Sequence, residues 1–178
     1  MKHLAYIFMI FAAVSIPLAA AAGDPNEYMV NLESLNDSGV TGTAWITVTD
    51  GKYLTVEIEA TGFEAGKAHP QHIHGLDKPK KNSTCPTIEA DADGDGIVSV
   101  GEGLPNYGPV ILPLVPFSLV DGDGNLDYYA TFQIRPNELQ PLHKRTVVLH
   151  GLTIEDDNGD LTYVPSTPVA CGEIFEVE

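Results

Sequence analysis

Short segments in which hydrophobic and polar residues alternate recur along the chain. In Tyr53–Ala60 the hydrophobic residues fall on every second position, with threonine and glutamate between them, which is the period of a half-buried β-strand. The preceding run, Gly42–Thr49, is rich in β-branched residues. Asp50 and Gly51 join the two runs, and this dipeptide is typical of a tight hairpin turn. The pattern predicts a β-hairpin over residues 42–60.

Further strands are predicted where β-branched and aromatic residues lie between turn residues. These segments are Gln71–His74, Val110–Leu114, Tyr128–Ile134, Thr146–His150 and Cys171–Val177. No segment carries apolar residues at helical spacing over three turns, which excludes a long-helix bundle. Seven or eight short strands separated by proline and Asx-Gly turns predict an all-β fold, an antiparallel sandwich or barrel.

The amino-terminal residues have the composition of an export signal. Lys2 and His3 precede the apolar stretch Leu4–Ile16, and the small residues Ala19–Ala22 follow. The apolar stretch is shorter than the ~20 residues that span a bilayer, so a secretory signal peptide is favoured over a membrane anchor. We expect residues 1–22 to be removed and residues 23–178 to form one exported domain, periplasmic or extracellular, that does not insert into the membrane.

The composition limits the partners of this domain. The 178 residues include 9 Lys+Arg and 25 Asp+Glu, for a formal net charge of −16, and 43% of them are hydrophobic. That hydrophobic content is enough for a packed core. The acidity argues against binding to nucleic acid or to an anionic membrane, because both would repel the protein.

The chain has two cysteines, Cys85 and Cys171. In an oxidising compartment they can form a disulfide. The alternative is two free buried thiols. A metal site on this pair is disfavoured, since the spacing is far from that of cysteine metal motifs.

Three histidines form the first candidate metal site. His72 and His74 lie two residues apart, so a strand places both imidazoles on one face, about 7 Å apart at Cα. His150 ends the apolar run that precedes it, and a sheet could bring it beside the pair. Three neutral imidazoles suit copper or zinc, and copper is bound more tightly by a nitrogen site. The alternative is a pair of surface or hydrogen-bonded histidines.

The segment Asp91–Glu102 matches the twelve-residue EF-hand loop at every required position. Gly96 stands at the sharp turn. Hard oxygen ligands in this order favour Ca²⁺ over any transition metal, although an acidic solvated turn is the alternative. Helices flanking the loop are not evident, which suggests a calcium loop inserted into a β domain. The expected ligands are Asp91, Asp93, Asp95, the carbonyl of Ile97, Ser99 and the bidentate Glu102.

A second acidic segment, Asp121–Asp127, has oxygen-bearing residues at alternate positions. If Asp121 is counted as the first position of an EF-hand loop, the twelfth position is Phe132, so the terminal carboxylate is missing. We interpret it first as a hairpin turn and second as a weak cation site. Asp156–Asp160 is interpreted as a turn only.

Several segments resemble Cu,Zn superoxide dismutases. Gly62–His74 resembles the family's segment with two copper ligands, Val147–Gly151 resembles its later copper-ligand strand, and Ala170–Ile174 resembles its carboxy-terminal disulfide strand. The resemblance implies a Greek-key β-sandwich in which Cys85 pairs with Cys171. It also implies that His72, His74 and His150 bind copper and that His69 is a structural histidine beside them.

The sequence departs from that family in two respects. Between His74 and His143 there is no histidine, whereas the family has its bridging histidine and further zinc ligands there, so a zinc site is not expected. Ser166–Ala170 contains no cation before Cys171, where the family has an arginine that attracts superoxide. Both departures weigh against dismutation.

Three functions follow from these features. The favoured one is an exported protein that binds copper for storage or delivery, and the second is a superoxide dismutase. The third is a non-enzymatic secreted interaction module held together by calcium and the disulfide. Domains of the chordin type also carry a His-Ile-His-Gly stretch, as at His72–Gly75, and a late Gly-Glu-Ile, as at Gly172–Ile174.

Overall fold

A computed structural model of the chain describes residues 26–76, 81–135, 138–155 and 158–177. The predicted signal peptide, residues 1–22, lies outside these ranges, as do Asp156 and Asp157 of the third acidic turn.

Eight β-strands and one short α-helix make up most of the described residues. The strands are β1 (Asn26–Ser34), β2 (Thr41–Thr49), β3 (Tyr53–Thr61), β4 (Gln71–His74), β5 (Val110–Pro113), β6 (Leu126–Gln133), β7 (Thr146–Glu155) and β8 (Leu161–Glu176). The helix α1 is Val100–Tyr107.

All strand pairs are antiparallel and follow one another in the order β5-β4-β7-β8-β1-β2-β3-β6. The long strand β8 pairs with β7 on one side and with β1 on the other, so it joins the two layers. The chain crosses between the ends of this order from β3 to β4 and again from β5 to β6, which gives Greek-key connections. The predicted all-β, Greek-key antiparallel sandwich or open barrel is confirmed.

The hairpin predicted at Asp50 and Gly51 is confirmed. Both residues have positive φ, 53° and 63°, as at the two central positions of a type I′ turn, and the N–H of Lys52 donates to the carbonyl of Thr49 across the turn at 3.1 Å. Strand β2 pairs with β3 without interruption from Thr41↔Thr61 to Thr49↔Tyr53.

The core lies between the two layers. Alternate residues of β2 and β3, such as Ile46, Val56 and Ile58, pack in one cluster with Ile73 of β4 and Leu149 of β7. Because strand side chains alternate between faces, His72 and His74 lie on the opposite face of β4 from Ile73. The core therefore fixes which face of this layer carries the histidines.

Two features of the strand pattern differ from the sequence prediction. Strand β1 was not predicted, and β8 begins at Leu161, ten residues before the predicted strand at Cys171. Strand β8 carries Pro165 and Pro168, and proline is uncommon inside a strand. They are accommodated because register shifts interrupt the β7–β8 ladder near His150, where the missing N–H groups of proline do not break regular pairing.

The predicted disulfide is confirmed: Cys85 and Cys171 are bonded, with their Cα atoms 5.7 Å apart. The bond attaches the segment before the acidic loop to β8. Disulfides are typical of proteins in oxidising compartments. Within the described ranges, no helix has the length and hydrophobicity needed to cross a membrane.

Candidate metal centre

Pairing of β4 with β7 brings the three predicted histidines together. His72 lies opposite Val148 and His74 opposite Thr146, and His150 follows on the same face of β7 as Val148. The backbone N–H of His150 donates to the carbonyl of Pro70 at 2.9 Å, which holds the two strands in register at this point. The ring centroids lie 5.0 Å apart for His72 and His150, and 5.6 Å apart for the other two pairs.

Each of the three rings has one buried nitrogen that lacks a hydrogen-bond partner among the described residues. His74 Nδ1 donates to the carbonyl of Gly108 and His150 Nδ1 to that of Ser166, both at 2.8 Å. These bonds set the tautomer, so the lone pair is on Nε2 in both rings. The buried side-chain atoms of the described residues that lack a hydrogen-bond partner include His72 Nδ1, His74 Nε2 and His150 Nε2. Ligand atoms of the three residues lie within 4.8 Å of one another, so the residues present fit a metal ion bound by three imidazoles.

Burial keeps these rings in the form that binds metal. Burial lowers the pKa of His72. It also lowers the pKa of His74 to about 4, although the bond to Gly108 acts in the opposite direction. For His150 burial lowers the pKa to about 3, again against its bond to Ser166. Neutral imidazole is the ligand form, so no proton competes with a metal near neutral pH.

His69 is buried and lies beside the backbone of His150. Its Nδ1 is 3.0 Å from the carbonyl oxygen of His150, and its Nε2 is 3.1 Å from that of Glu64. Its ring packs against Phe63 at 4.6 Å. His69 therefore links the backbone of a candidate ligand to the loop before β4.

The end of helix α1 holds His74 in place. Gly108 supplies the carbonyl that accepts from His74, and the ring of Tyr107 packs against His74 with centroids 4.8 Å apart. Tyr107 is fully buried among Val148 and the disulfide. This contribution was not predicted from the sequence, because a helix with two glycines and Pro105 inside it has low intrinsic propensity.

His72 is the ring at the outer edge of the group. His74 and His150 are 3% and 2% exposed, whereas His72 is only half-buried. Phe117 packs edge-on against His72 with ring centroids 5.6 Å apart. No carboxylate, thiolate or fourth imidazole of the described residues joins the group.

The acidic loop brings three of its predicted ligands together on the surface. Ligand oxygens of Asp91, Asp93 and Asp95 lie within 4.8 Å of one another. Their carboxylates accept hydrogen bonds from backbone N–H groups within the loop, for example Asp91 from Gly96 at 2.9 Å. Such bonds orient the oxygens but also occur in acidic turns that hold no ion.

Helix α1 begins at Val100, inside the predicted loop, so the expectation that no helix flanks the loop is wrong on its carboxy-terminal side. Ser99 caps the helix in a capping box with Glu102. Glu102 accepts from the backbone N–H groups of Ser99 and Ala92 at 2.9 and 2.8 Å, and these bonds lower its pKa to about 2. Ile97 donates its own N–H to Asp95 at 2.7 Å.

The second acidic segment is a turn but not a hairpin. Asp121 accepts from the backbone N–H groups of Asp123 and Asn125. The strands on either side, β5 and β6, lie at opposite ends of the strand order and do not pair. The interpretation as a hairpin turn is therefore wrong, and the residues instead direct the chain into β6.

Comparison with known proteins gives structural neighbours and no sequence relatives. No protein-family model matches the chain, and no curated protein matches it. The Cu(II) form of superoxide dismutase 5 from Candida albicans is 16% identical, with 86% of this chain and 93% of that chain covered and a TM-score of 0.40. A mutant of the same enzyme is 15% identical, with 90% and 93% covered and a TM-score of 0.44.

The clock protein EA4 is also similar: it is 13% identical, with 90% of this chain and 100% of that chain covered and a TM-score of 0.49. At such low identity the likeness extends no further than the fold, and the candidate site is argued from its own residues.

Proposed function

We propose that this protein is an exported copper-binding protein whose ion is held by His72, His74 and His150. The observation that carries this proposal is the convergence of three buried imidazole nitrogens that lack hydrogen-bond partners. An unpaired buried polar atom costs about 1–3 kcal/mol, and a metal ion would satisfy all three atoms at once. Nitrogen ligands favour copper over zinc in the Irving–Williams order.

Storage or delivery of copper is favoured over catalysis. Copper would supply redox chemistry by alternating between Cu²⁺ and Cu⁺, and the resemblance of the ligand segments to Cu,Zn superoxide dismutases makes dismutation the second candidate. The bridging histidine and the arginine before Cys171 are absent from the sequence. The negative net charge also opposes the approach of superoxide.

We propose further that the acidic loop binds Ca²⁺ through Asp91, Asp93, Asp95, the carbonyl of Ile97, Ser99 and Glu102. The match to the twelve-residue loop and the helix that begins at Val100 support this assignment. Calcium would then order the acidic loop. Helix α1 follows this loop and ends at Tyr107, next to Gly108. Export rests on the predicted signal peptide at residues 1–22 and is supported by the disulfide.

The experiment that tests copper binding compares His150→Ala with His143→Ala. His150 is buried in the triad, whereas His143 is exposed. We expect the wild type and His143→Ala to take up one copper per chain, with nitrogen hyperfine splitting in the Cu²⁺ electron paramagnetic resonance spectrum. His150→Ala should lose most of the copper at the same metal concentration. Equal copper uptake by the two variants would contradict the assignment.

A superoxide decay assay separates storage from catalysis. The copper-loaded protein should accelerate decay no more than a small copper–histidine complex at the same copper concentration. Faster decay that depends on His150 would instead favour the dismutase. If the chain takes up no copper and only calcium changes its melting temperature, the result would favour the third candidate, a non-enzymatic secreted interaction module.

A further inference from the structure

The carbonyl group that orients His150 lies on an irregular stretch of β8. His150 Nδ1 donates to the carbonyl of Ser166 at 2.8 Å. In the β7–β8 ladder His150 pairs with Pro168 and Leu152 pairs with Val164, so that two steps along β7 correspond to four steps along β8. The additional residues of β8 form a bulge, and Ser166 lies in it. The β7–β8 ladder therefore does not by itself fix the position of the Ser166 carbonyl.

The turn directly after β1 holds β8 just beyond this bulge. The β1–β8 ladder ends before the turn begins. The N–H of Leu35 and the hydroxyl of Ser38 both donate to the carbonyl of Val169, at 2.8 and 2.6 Å. The side-chain amide of Asn36 donates to the carbonyl of Pro168 at 2.9 Å. These bonds replace the missing ladder on this side of β8.

Asn36 also connects this turn to the acidic loop. Its Nδ2 donates to the carbonyl of Val98 at 3.1 Å, and its Oδ1 accepts from the N–H of Val98 at 2.8 Å. With the bond to Pro168, the amide makes three hydrogen bonds. The φ of Asn36 is +54°, a left-handed conformation that asparagine adopts more readily than most residues. Asn36 therefore joins the buried Val98 to Pro168 through a side chain of fixed orientation.

We propose that Asn36 is a positioning residue for the copper site. This inference rests on the proposed copper function. By holding Pro168, Asn36 keeps the Ser166 carbonyl within reach of His150 Nδ1, and that bond leaves the lone pair of His150 on Nε2. Loss of such a bond to a ligating histidine typically weakens metal binding about 10- to 100-fold, and because Asn36 acts through the backbone we expect the lower end of this range.

Asn36→Asp tests this role because aspartate has the same shape and also tolerates a left-handed backbone. The carboxylate still accepts from the N–H of Val98, but it cannot donate to the carbonyls of Val98 and Pro168. Asn36→Gly is a second variant that removes the amide without adding a charge, and glycine adopts positive φ freely. The matched control is Asn31→Asp, which makes the same change at an exposed position on β1.

The experiment measures copper affinity and copper geometry separately. Affinity is obtained by competition with a chelator of known affinity, and geometry from the electron paramagnetic resonance spectrum of the Cu²⁺-loaded protein. Both Asn36 variants should bind copper about tenfold more weakly than the wild type and should change the Cu²⁺ hyperfine splitting. Asn31→Asp should match the wild type in both respects. A residue that only supported the fold would lower the melting temperature of the metal-free protein and leave the hyperfine splitting unchanged.

Wild-type affinity and a wild-type spectrum in both Asn36 variants would overturn the inference, whatever their melting temperatures. An equal change in Asn31→Asp would also overturn it, because the added charge would then be the cause. Absence of copper from the wild type would contradict the proposed function itself. Copper uptake by the wild type, together with unchanged Asn36 variants, would contradict the positioning role alone.

Discussion

At the scale of single residues, the triad combines burial with incomplete hydrogen bonding. His74 and His150 are almost fully buried, yet each has one ring nitrogen without a partner. Their other nitrogens donate to backbone carbonyls, so the rings cannot rotate without losing these bonds. These hydrogen bonds hold the unpaired ring nitrogens in fixed positions, which is the preorganisation that a metal site needs.

The lowered pKa values predict a pH dependence of stability in the metal-free protein. In the unfolded chain each histidine takes up a proton near pH 6.5, whereas His74 and His150 fold as neutral rings with pKa values of about 4 and 3. The unfolded state therefore binds more protons below pH 6.5, and stability falls as the pH falls. At pH 5 the loss is about 2 kcal/mol for each ring.

Thermal unfolding with a chelator present, at pH 7 and pH 5, measures this dependence. His150→Gln should have a smaller drop between the two pH values than the wild type. The control His143→Gln changes an exposed histidine and should keep the full drop. A His150→Gln variant with the wild-type drop would contradict the argument.

A second prediction at the scale of single residues concerns Gly108. Its φ is +82°, and a Cβ there would lie 2.5 Å from the backbone oxygen of Gly75. Gly108→Ala should therefore lower the free energy of unfolding by about 1–3 kcal/mol and weaken copper binding by displacing the carbonyl that holds His74. Gly122→Ala is the control, because a Cβ at Gly122 meets nothing within 4 Å. Chemical denaturation and copper titration of both variants check the prediction, and equal behaviour would contradict it.

At the scale of elements, the sequence predicted the regular strands well and the irregular ones poorly. The hairpin of β2 and β3 follows directly from alternation and the Asp-Gly turn. Strand β1 was missed, although Tyr28, Val30 and Leu32 fall on alternate positions and could have shown it. Its pairing partners β2 and β8 stabilise this strand through long-range contacts, which local sequence does not reveal.

The candidate sites were predictable to different degrees. The pairing of His72 with His74 follows from strand periodicity, but the approach of His150 depends on which strands become neighbours. Helix α1 could not be predicted from propensity, because it depends on the Ser99 cap and on packing of Tyr107 against the disulfide. Tertiary packing here outweighs the local preference of glycine and proline.

One prediction at the scale of elements concerns calcium binding by the acidic loop. Calcium at about 100 times its Kd should stabilise the protein by about 2.7 kcal/mol and raise the melting temperature. Glu102→Gln should remove most of this effect because it loses the bidentate ligand. Glu89→Gln, an exposed neighbour of the loop, should keep it. Calorimetry with calcium and with chelator checks the prediction. Identical melting of the wild type under both conditions would contradict it.

At the scale of the whole molecule, the negative net charge argues against a small anion as substrate. The chain carries a formal charge of −16, so its average field repels superoxide. Phe117, which packs against His72, lies in a segment between Glu102 and Asp121 that has no charged residue to counter that repulsion. Both features weigh against rapid capture of superoxide at the triad.

The charge predicts an unusual salt dependence for any superoxide decay that the copper-loaded protein catalyses. Salt screens repulsion as it screens attraction, so the rate should rise as ionic strength increases from about 0.01 to 0.15 M. Pulse radiolysis at several salt concentrations measures this rate. A rate that falls with salt would reveal a local attractive field and favour a dismutase.

The central claim is that the three histidines hold copper. Elemental mass spectrometry tests it most directly, on protein purified from an exporting host that is supplied with copper, zinc and calcium. The account predicts one copper per chain, little zinc and about one calcium, with copper absent from His150→Ala. Protein that contains calcium but no copper, or copper that is retained in His150→Ala, would contradict the assignment of the triad.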